Sequence, residues 1–174
     1  MKNLKELFLN SLAEMYYTEN QMAGVLPEMA DAATRWRLCL AFESHLAETE
    51  GHVHKLEQVF EAFGQKPKSK KCPAVFGIIK EADEIISKNK KSPVINAALI
   101  FAGQKAEHYQ IASYRVLRDW AKLLGNEDAA DILDEILDEK KEADARLGEL
   151  AGEQRIEPEN SGENEKPEIV ESRC

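Results

Sequence analysis

The chain has 174 residues, with a hydrophobic fraction of 43%, a charged fraction of 32% and a formal net charge of −9. That length supports one domain with a substantial core, and the acidic balance excludes nonspecific nucleic-acid binding, which needs a basic face to replace phosphate counterions. The longest apolar stretch, AALIFAG at 97–103, is far too short to cross a bilayer.

The opening MKNLKELFLN carries Lys2, Lys5 and Glu6 and has no long apolar run, so it does not read as a signal peptide. A first long helix is predicted from about Leu4 towards Thr34, bent near Pro27, which removes one backbone donor. A second runs from about Trp36 to Phe63, with Gly64 as a cap just past its end. The segment QKPKSKKCP breaks helix, and its basic run KPKSKK reads as a solvated loop. FGIIKEADEIISKN then suggests one short helix. Ser92 and Pro93 signal the start of a third long helix, serine as cap and proline in the first turn. That helix closes at Gly125. Asn126, with Glu127 and Asp128 behind it, caps a fourth that fades near Gly152.

From Glu153 onward the sequence holds seven acidic and three basic residues, two prolines and few large apolar side chains. Residues 153–174 therefore read as a disordered acidic tail appended to a bundle over 1–152. Cys39, Cys72 and Cys174 have no metal-binding spacing, and one stays unpaired in any pairing scheme. The expectation is a reducing compartment, hence the cytoplasm. No strand-like alternation stands out. Four long amphipathic helices with a short helix in the central link predict an all-α four-helix bundle. The tight first and third links make antiparallel hairpins, and the middle link crosses over.

Each long helix interrupts its apolar stripe with a polar residue. On the first, Glu19 falls among Leu4, Phe8, Leu12, Met15, Met22 and Leu26. On the second, Thr49 is central to Leu38, Phe42, Leu46, Val53, Leu56 and Phe60, with His45 and His52 flanking. On the third, Gln110 is central to Leu99, Ala102, Ala106, Leu117 and Leu124, with Glu107 beside it. Ser113 shares that stripe, where its hydroxyl can bond back to the helix. On the fourth, Lys140 sits among Leu133, Ile136, Leu137, Ala143, Leu147 and Leu150, with Asp144 one turn on. Positions 19 and 49 are equally far from the first turn, as are 110 and 140, and 107 and 144, from the third. All four helices thus bring polar groups to one layer. A lone ionised Glu19 there would cost several kcal/mol, comparable to a whole protein's stability margin. It must be paired, protonated or bound to a cation. Carboxylates with imidazole in a bundle suit iron or manganese.

The segments YTENQMAGVLPEMADAA, FESHLAETEGHVHKLEQVF, KKCPAVFGIIKEADEII, AALIFAGQKAEHYQIASYRVL and LDEILDEKKEADARLGELA resemble the YciF/YciE family of bacterial ferritin-like stress proteins over roughly residues 4–151. The resemblance implies a ferritin-like bundle, often a homodimer, with a di-iron carboxylate site and a role in stress responses. Glu19, His45, Glu48, Thr49, Glu107, Glu139 and Asp144 agree with the family pattern. Two positions depart from it: EHYQI where the family reads EHYEI, giving Gln110, and EKK where it reads EEK, giving Lys140. A dinuclear divalent site brings about +4 and needs several carboxylates. These two changes make the layer about three charges more positive at neutral pH.

Metal-ligand candidates are therefore Glu19, His45, Glu48, His52, Glu107 and Asp144, with Lys140 as internal cation and Gln110 as an altered ligand position. Each has a plainer alternative. Glu19, Glu107 and Asp144 can pair with Lys140, the histidines can be hydrogen-bonded core residues, and Glu48 and Glu139 can make helix-surface ion pairs. Tyr16, Tyr109 and Tyr114 read as packing aromatics. Three readings stay open. One is a bundle with a degenerate di-iron centre acting as a structural or assembly protein. The second is an iron or manganese protein with oxidase or peroxide-consuming activity. The third is a scaffold recognised by a protein partner through its acidic tail. No nucleophilic triad, phosphate loop or dinucleotide fingerprint is apparent, so no catalytic residue is named.

Overall fold

The computed structural model describes residues 3–89 and 92–153. They form five helices: α1 (Leu4–Ala32), α2 (Trp36–Ala62), α3 (Pro73–Asn89), α4 (Ile95–Leu123) and α5 (Glu127–Gly152). The four long helices are the sequence-predicted ones. The short crossover helix begins earlier than FGIIKEADEIISKN suggests, at Pro73, because a proline is well placed at a helix start.

Local chemistry sets the ends. The Glu6 amide donates to the Asn3 side chain at 2.8 Å, capping α1. The helix then continues through Pro27 and stops at Ala32, short of Thr34. Asn96, at the start of α4, accepts from the Thr34 amide at 2.9 Å and donates to the Thr34 hydroxyl at 2.7 Å, which holds the α1–α2 turn. Gly64 and Gly125 end α2 and α4 with positive φ, 67° and 73°. In each case two amide bonds run back over the last turn: Gln65 to Phe60 and Gly64 to Glu61, Asn126 to Ala121 and Gly125 to Lys122. Asn126 then accepts from the Ala129 amide at 3.0 Å, with Glu127 and Asp128 in the first turn of α5. Ser92 does not cap α4. Ser92 and Pro93 lie before it, the Ser92 hydroxyl accepts from the Val94 amide at 3.3 Å, and the helix opens at Ile95.

α1 packs on α2 and α4, and α5 packs on the same two helices. Around the bundle the order is therefore α1, α2, α5, α4, so α1 faces α5 across one diagonal and α2 faces α4 across the other. α3 lies outside, against α4 and α1. The link before α3 is tied to α1, the Lys70 amide donating to the Ala13 carbonyl and its ammonium pairing with Glu14.

The apolar core comes in two parts. One is built around Met22, Leu26, Met29, Phe42, Leu99 and Leu147. The other is built around Phe8, Leu12, Leu56, Phe60, Leu117 and Leu133. Leu4, Leu46, Val53 and Leu124 are only half-buried. On α2 His45 and His52 are buried on either side of Thr49.

Cys72 is a buried free thiol, whereas Cys39 is disulfide-bonded, so the cysteines give no argument for a reducing compartment. None of the described helices is long and apolar enough to cross a membrane. The acidic tail from residue 154 lies outside the described residues.

The turn glycine and a mid-helix glycine have opposite demands. An added Cβ meets nothing within 4 Å at either Gly24 or Gly125, but only Gly125 has a positive φ. Gly125→Ala should cost about 1 kcal/mol and Gly24→Ala should gain about as much, read from urea unfolding midpoints.

Candidate functional site

Between the two halves of the core lies a layer of buried polar side chains. Glu19 comes from α1, His45, Thr49 and His52 from α2, Glu107 and Gln110 from α4, and Lys140 from α5. Glu19, Glu107, Gln110 and Lys140 are each 0% exposed. Helical spacing explains the level: each takes a position on its helix that an apolar core residue would otherwise fill.

Two contacts cross at the centre. Along the α1–α5 diagonal the Lys140 ammonium donates to Glu19 Oε2 at 3.2 Å. Along the α2–α4 diagonal His45 Nε2 lies 3.0 Å from Glu107 Oε1. Lys140 joins the two, since its Nζ is also 3.3 Å from His45 Nε2. The other Glu19 oxygen accepts from the Tyr114 hydroxyl at 2.5 Å. His52 connects the layer to the surface. Its Nε2 is 2.7 Å from Glu139, whose other oxygen accepts from Lys55 at 2.6 Å. Its Nδ1 is 3.6 Å from Glu19, too long for a hydrogen bond.

The charges follow from these partners. Burial pushes the Glu19 carboxyl up, but the Lys140 ammonium, His52 and the Tyr114 hydroxyl more than offset it and hold the group at about 2. Glu107 shares the burial without a direct lysine contact, and it is pushed up to about 7, with the Glu19, Asp144 and Glu48 charges adding to the shift. Burial, and then Lys140, lower His45 well below its ordinary value. The His45–Glu107 contact is consequently a neutral imidazole beside a carboxyl that titrates near neutrality, not an ion pair. Burial and Glu19 raise Tyr114 well above its ordinary value, so it remains a hydrogen-bond donor. Thr49 Oγ1, both Glu107 oxygens and both polar atoms of the Gln110 amide are buried without a hydrogen-bond partner.

The six ligand candidates divide. Glu19, His45, His52 and Glu107 come together in the layer. Glu48 and Asp144 stay at its edge, Glu48 held through both oxygens by Arg146 at 2.8 and 2.7 Å. Asp144 is engaged by Gln104 at 3.3 Å and His108 at 3.2 Å rather than by Lys140. Among the described residues no three His, Cys, Asp or Glu side chains gather as an ion cage. The site residue passed over as a packing aromatic is Tyr114. Its position, one turn beyond Gln110 on the same stripe, was the available signal. Arg146 and Lys55 carried no such mark, because surface lysines and arginines pair with whatever acid is near.

Comparison with known proteins gives one consistent family. The domain of unknown function DUF892 matches residues 3–158. Protein YciF of Escherichia coli (strain K12) is 41% identical over 152 residues, covering 87% of this chain and 92% of that one. The crystal structure of the E. coli stress protein YciF superposes with a TM-score of 0.84 at 41% identity, covering 87% of this chain and 96% of that chain. YcfI from Rhodopseudomonas palustris, a proposed structural protein, gives 0.82 at 39% identity, covering 84% and 94%. A Xanthomonas campestris protein at 20% identity, TM-score 0.68 with coverage of 86% and 90%, shares the fold.

Two outcomes test the electrostatics. Lys140→Met should cost about 3–5 kcal/mol in urea unfolding, because it leaves Glu19 buried and uncompensated, and adding Glu19→Gln should recover much of that loss. The second concerns pH. Glu107 is raised from 4.5 to about 7, so the folded state holds a proton that the unfolded state releases. Its contribution is full below 4.5 and is lost as pH rises towards 7. Glu19 is lowered from 4.5 to about 2, so its contribution is present above 4.5 and lost as pH falls towards 2. Glu107→Gln should therefore flatten the fall in stability between pH 4.5 and 7 while leaving the acid limb in place, measured by urea midpoints across pH.

Proposed function

The chain belongs to the DUF892 family of YciF-type ferritin-like bundles, and from that footing we propose that it is a stress-associated structural protein. In this reading its central layer is closed by an internal cation instead of a di-iron centre. The observation that carries the reading is the place of the Lys140 ammonium, 3.2 Å from Glu19 Oε2 and 3.3 Å from His45 Nε2. A carboxylate and an imidazole that would serve as ligands already share a cation. A metal between them would meet the ammonium as a like charge and would have to displace it.

The remaining donors fit a dinuclear centre poorly. Gln110 offers a neutral amide, Glu48 is committed to Arg146, and Asp144 points its oxygens at Gln104 and His108. A pair of divalent ions would be left with too little negative charge. The relatives support the non-catalytic reading only by description, one being a stress protein and another a proposed structural protein. Assembly as a homodimer in the cytoplasm belongs to the same proposal.

A second reading rests on Glu107. Its two unpartnered buried oxygens, with His45 at 3.0 Å, could hold a single iron or manganese ion. Recognition by a partner through the acidic tail is a third and rests on composition alone.

The deciding experiment is anaerobic loading with iron or manganese, desalting and elemental analysis. The native chain should retain no stoichiometric metal and show no rise in Tm. The Gln110→Glu, Lys140→Glu double variant should retain about two ions and gain stability from them. One tightly held ion in the native protein, lost in Glu107→Gln, would replace the first reading with the second.

A further inference from the structure

The basic run KPKSKK, residues 66–71, ends on a segment tied down at both sides of one groove. At α1 the Lys70 amide donates to the Ala13 carbonyl at 3.0 Å, and the Lys70 ammonium pairs with Glu14 at 2.8 Å. Two residues on, Cys72 Sγ lies 3.0 Å from the Tyr109 hydroxyl on α4. Lys70–Cys72 is therefore a strap that crosses from α1 to α4. On one side of it α3 covers the gap between these helices, with Glu81 paired to Lys105. On the other side, towards Ser11 and Trp120, a cavity of about 390 Å³ lies open between them.

The wall of this cavity is apolar: Met15 from α1, and Ala112, Val116, Leu117 and Trp120 from α4. Val116 is 42% exposed there. Glu14 and Tyr109, which hold the two ends of the strap, also line the cavity, so the strap forms its rim. Rim and wall differ in character. Lys68 and Lys71, on either side of the anchored Lys70, are exposed and have no acidic partner among the described residues. A chain of net charge −9 thus sets unpaired ammonium groups at one end of an apolar trough. From Tyr109 to Trp120 the trough follows about three turns of α4, on the order of 16 Å, comparable to an extended dodecyl chain. A concave apolar site with its charge confined to one end fits a ligand with the same asymmetry and the opposite charge.

We propose that the trough binds a single-chain anionic amphiphile of the fatty-acid class, with its carboxylate at Lys70 and Lys71 and its alkyl chain laid along Met15, Val116, Leu117 and Trp120. The chain removes apolar wall from water, and the basic rim selects the sign of the head group. The head competes with Glu14 for the Lys70 ammonium. Both side chains are partly exposed, at 32% and 49%, so Glu14 can turn to water when the ligand arrives. The site uses none of the side chains of the central layer and is independent of what closes that layer.

The test is a titration of the full chain carrying Trp36→Phe, so that Trp120 is the remaining tryptophan, with sodium dodecanoate below its micelle concentration. Trp120 fluorescence and calorimetry should show one saturable site with a Kd on the order of 10–100 μM. Lys70→Ala with Lys71→Ala should weaken binding about fivefold, and Glu14→Gln, which frees Lys70, should tighten it about twofold. Ala112→Phe, at an exposed position where the added ring fills the trough, should abolish binding while the urea midpoint holds. No saturable binding at about 1 mM dodecanoate, equal affinity for dodecanol or dodecyltrimethylammonium, or unchanged binding in Ala112→Phe would overturn the proposal. A dimer that Ala112→Phe dissociates, with no dodecanoate bound, would overturn it in favour of a second copy. Capture by anionic-lipid vesicles without uptake of the free acid would overturn it in favour of a membrane surface.

Discussion

The Lys140–Glu19 contact lies where the two halves of the core meet, and the rest of the layer is arranged around it. It spans the diagonal between α1 and α5, helices that share little other packing. A buried ion pair seldom stabilises a fold relative to well-packed apolar residues, since each ion loses several kcal/mol of hydration. Once one member is present, however, the other becomes obligatory. Glu19 without Lys140 is an uncompensated carboxylate in an apolar bundle, and Lys140 without Glu19 is an uncompensated ammonium. Tyr114 and His45 supply hydrogen-bonding partners that the pair alone would lack.

That arrangement separates the two buried glutamates by environment. Both are shut away from water, yet Glu19 is held at about 2 and Glu107 is pushed up to about 7. The difference lies in the partners: Glu19 has the Lys140 ammonium at 3.2 Å, with His52 and the Tyr114 hydroxyl beside it, whereas Lys140 lowers Glu107 too little to offset its burial. The layer therefore needs no further positive charge to satisfy Glu19, while Glu107 can meet its burial by taking a proton. One lysine and one proton thus offset the charges of the two buried glutamates.

Helix positions were legible from the sequence because capping and turn residues act locally. Asn126 and the two positive-φ glycines fix the ends of α2, α4 and α5 through atoms no more than a turn away. Ser92 misled because a serine–proline pair serves a turn as readily as a helix start, and the choice belongs to the tertiary fit of α3 against α4. The shared level of Glu19, Thr49, Gln110 and Lys140 could be read from antiparallel symmetry about the turns. Side-chain partners could not. Periodicity places a residue on a face but says nothing about which of three nearby acids a lysine reaches, nor that Arg146 lies against Glu48 and that Gln104 and His108 lie against Asp144. Tyr114 shows the same limit, since an aromatic ring on a stripe packs identically whether or not its hydroxyl has a partner.

A polar layer of this kind constrains pairing as well as charge. An all-apolar stripe lets neighbouring helices slide by a turn with modest loss, because one leucine substitutes for another. Here a one-turn slip of α5 would move Lys140 about 5 Å along the bundle and separate it from both Glu19 and His45. The misaligned state would then carry a buried carboxylate, a buried ammonium and a tyrosine hydroxyl without partners. The penalty for the wrong register thus exceeds whatever the pair contributes to the right one. A buried ammonium enforces that discrimination strongly, since it is costly wherever it lacks its partners. The register of the four helices, more than any net stabilisation, is the structural consequence of placing a cation at position 140.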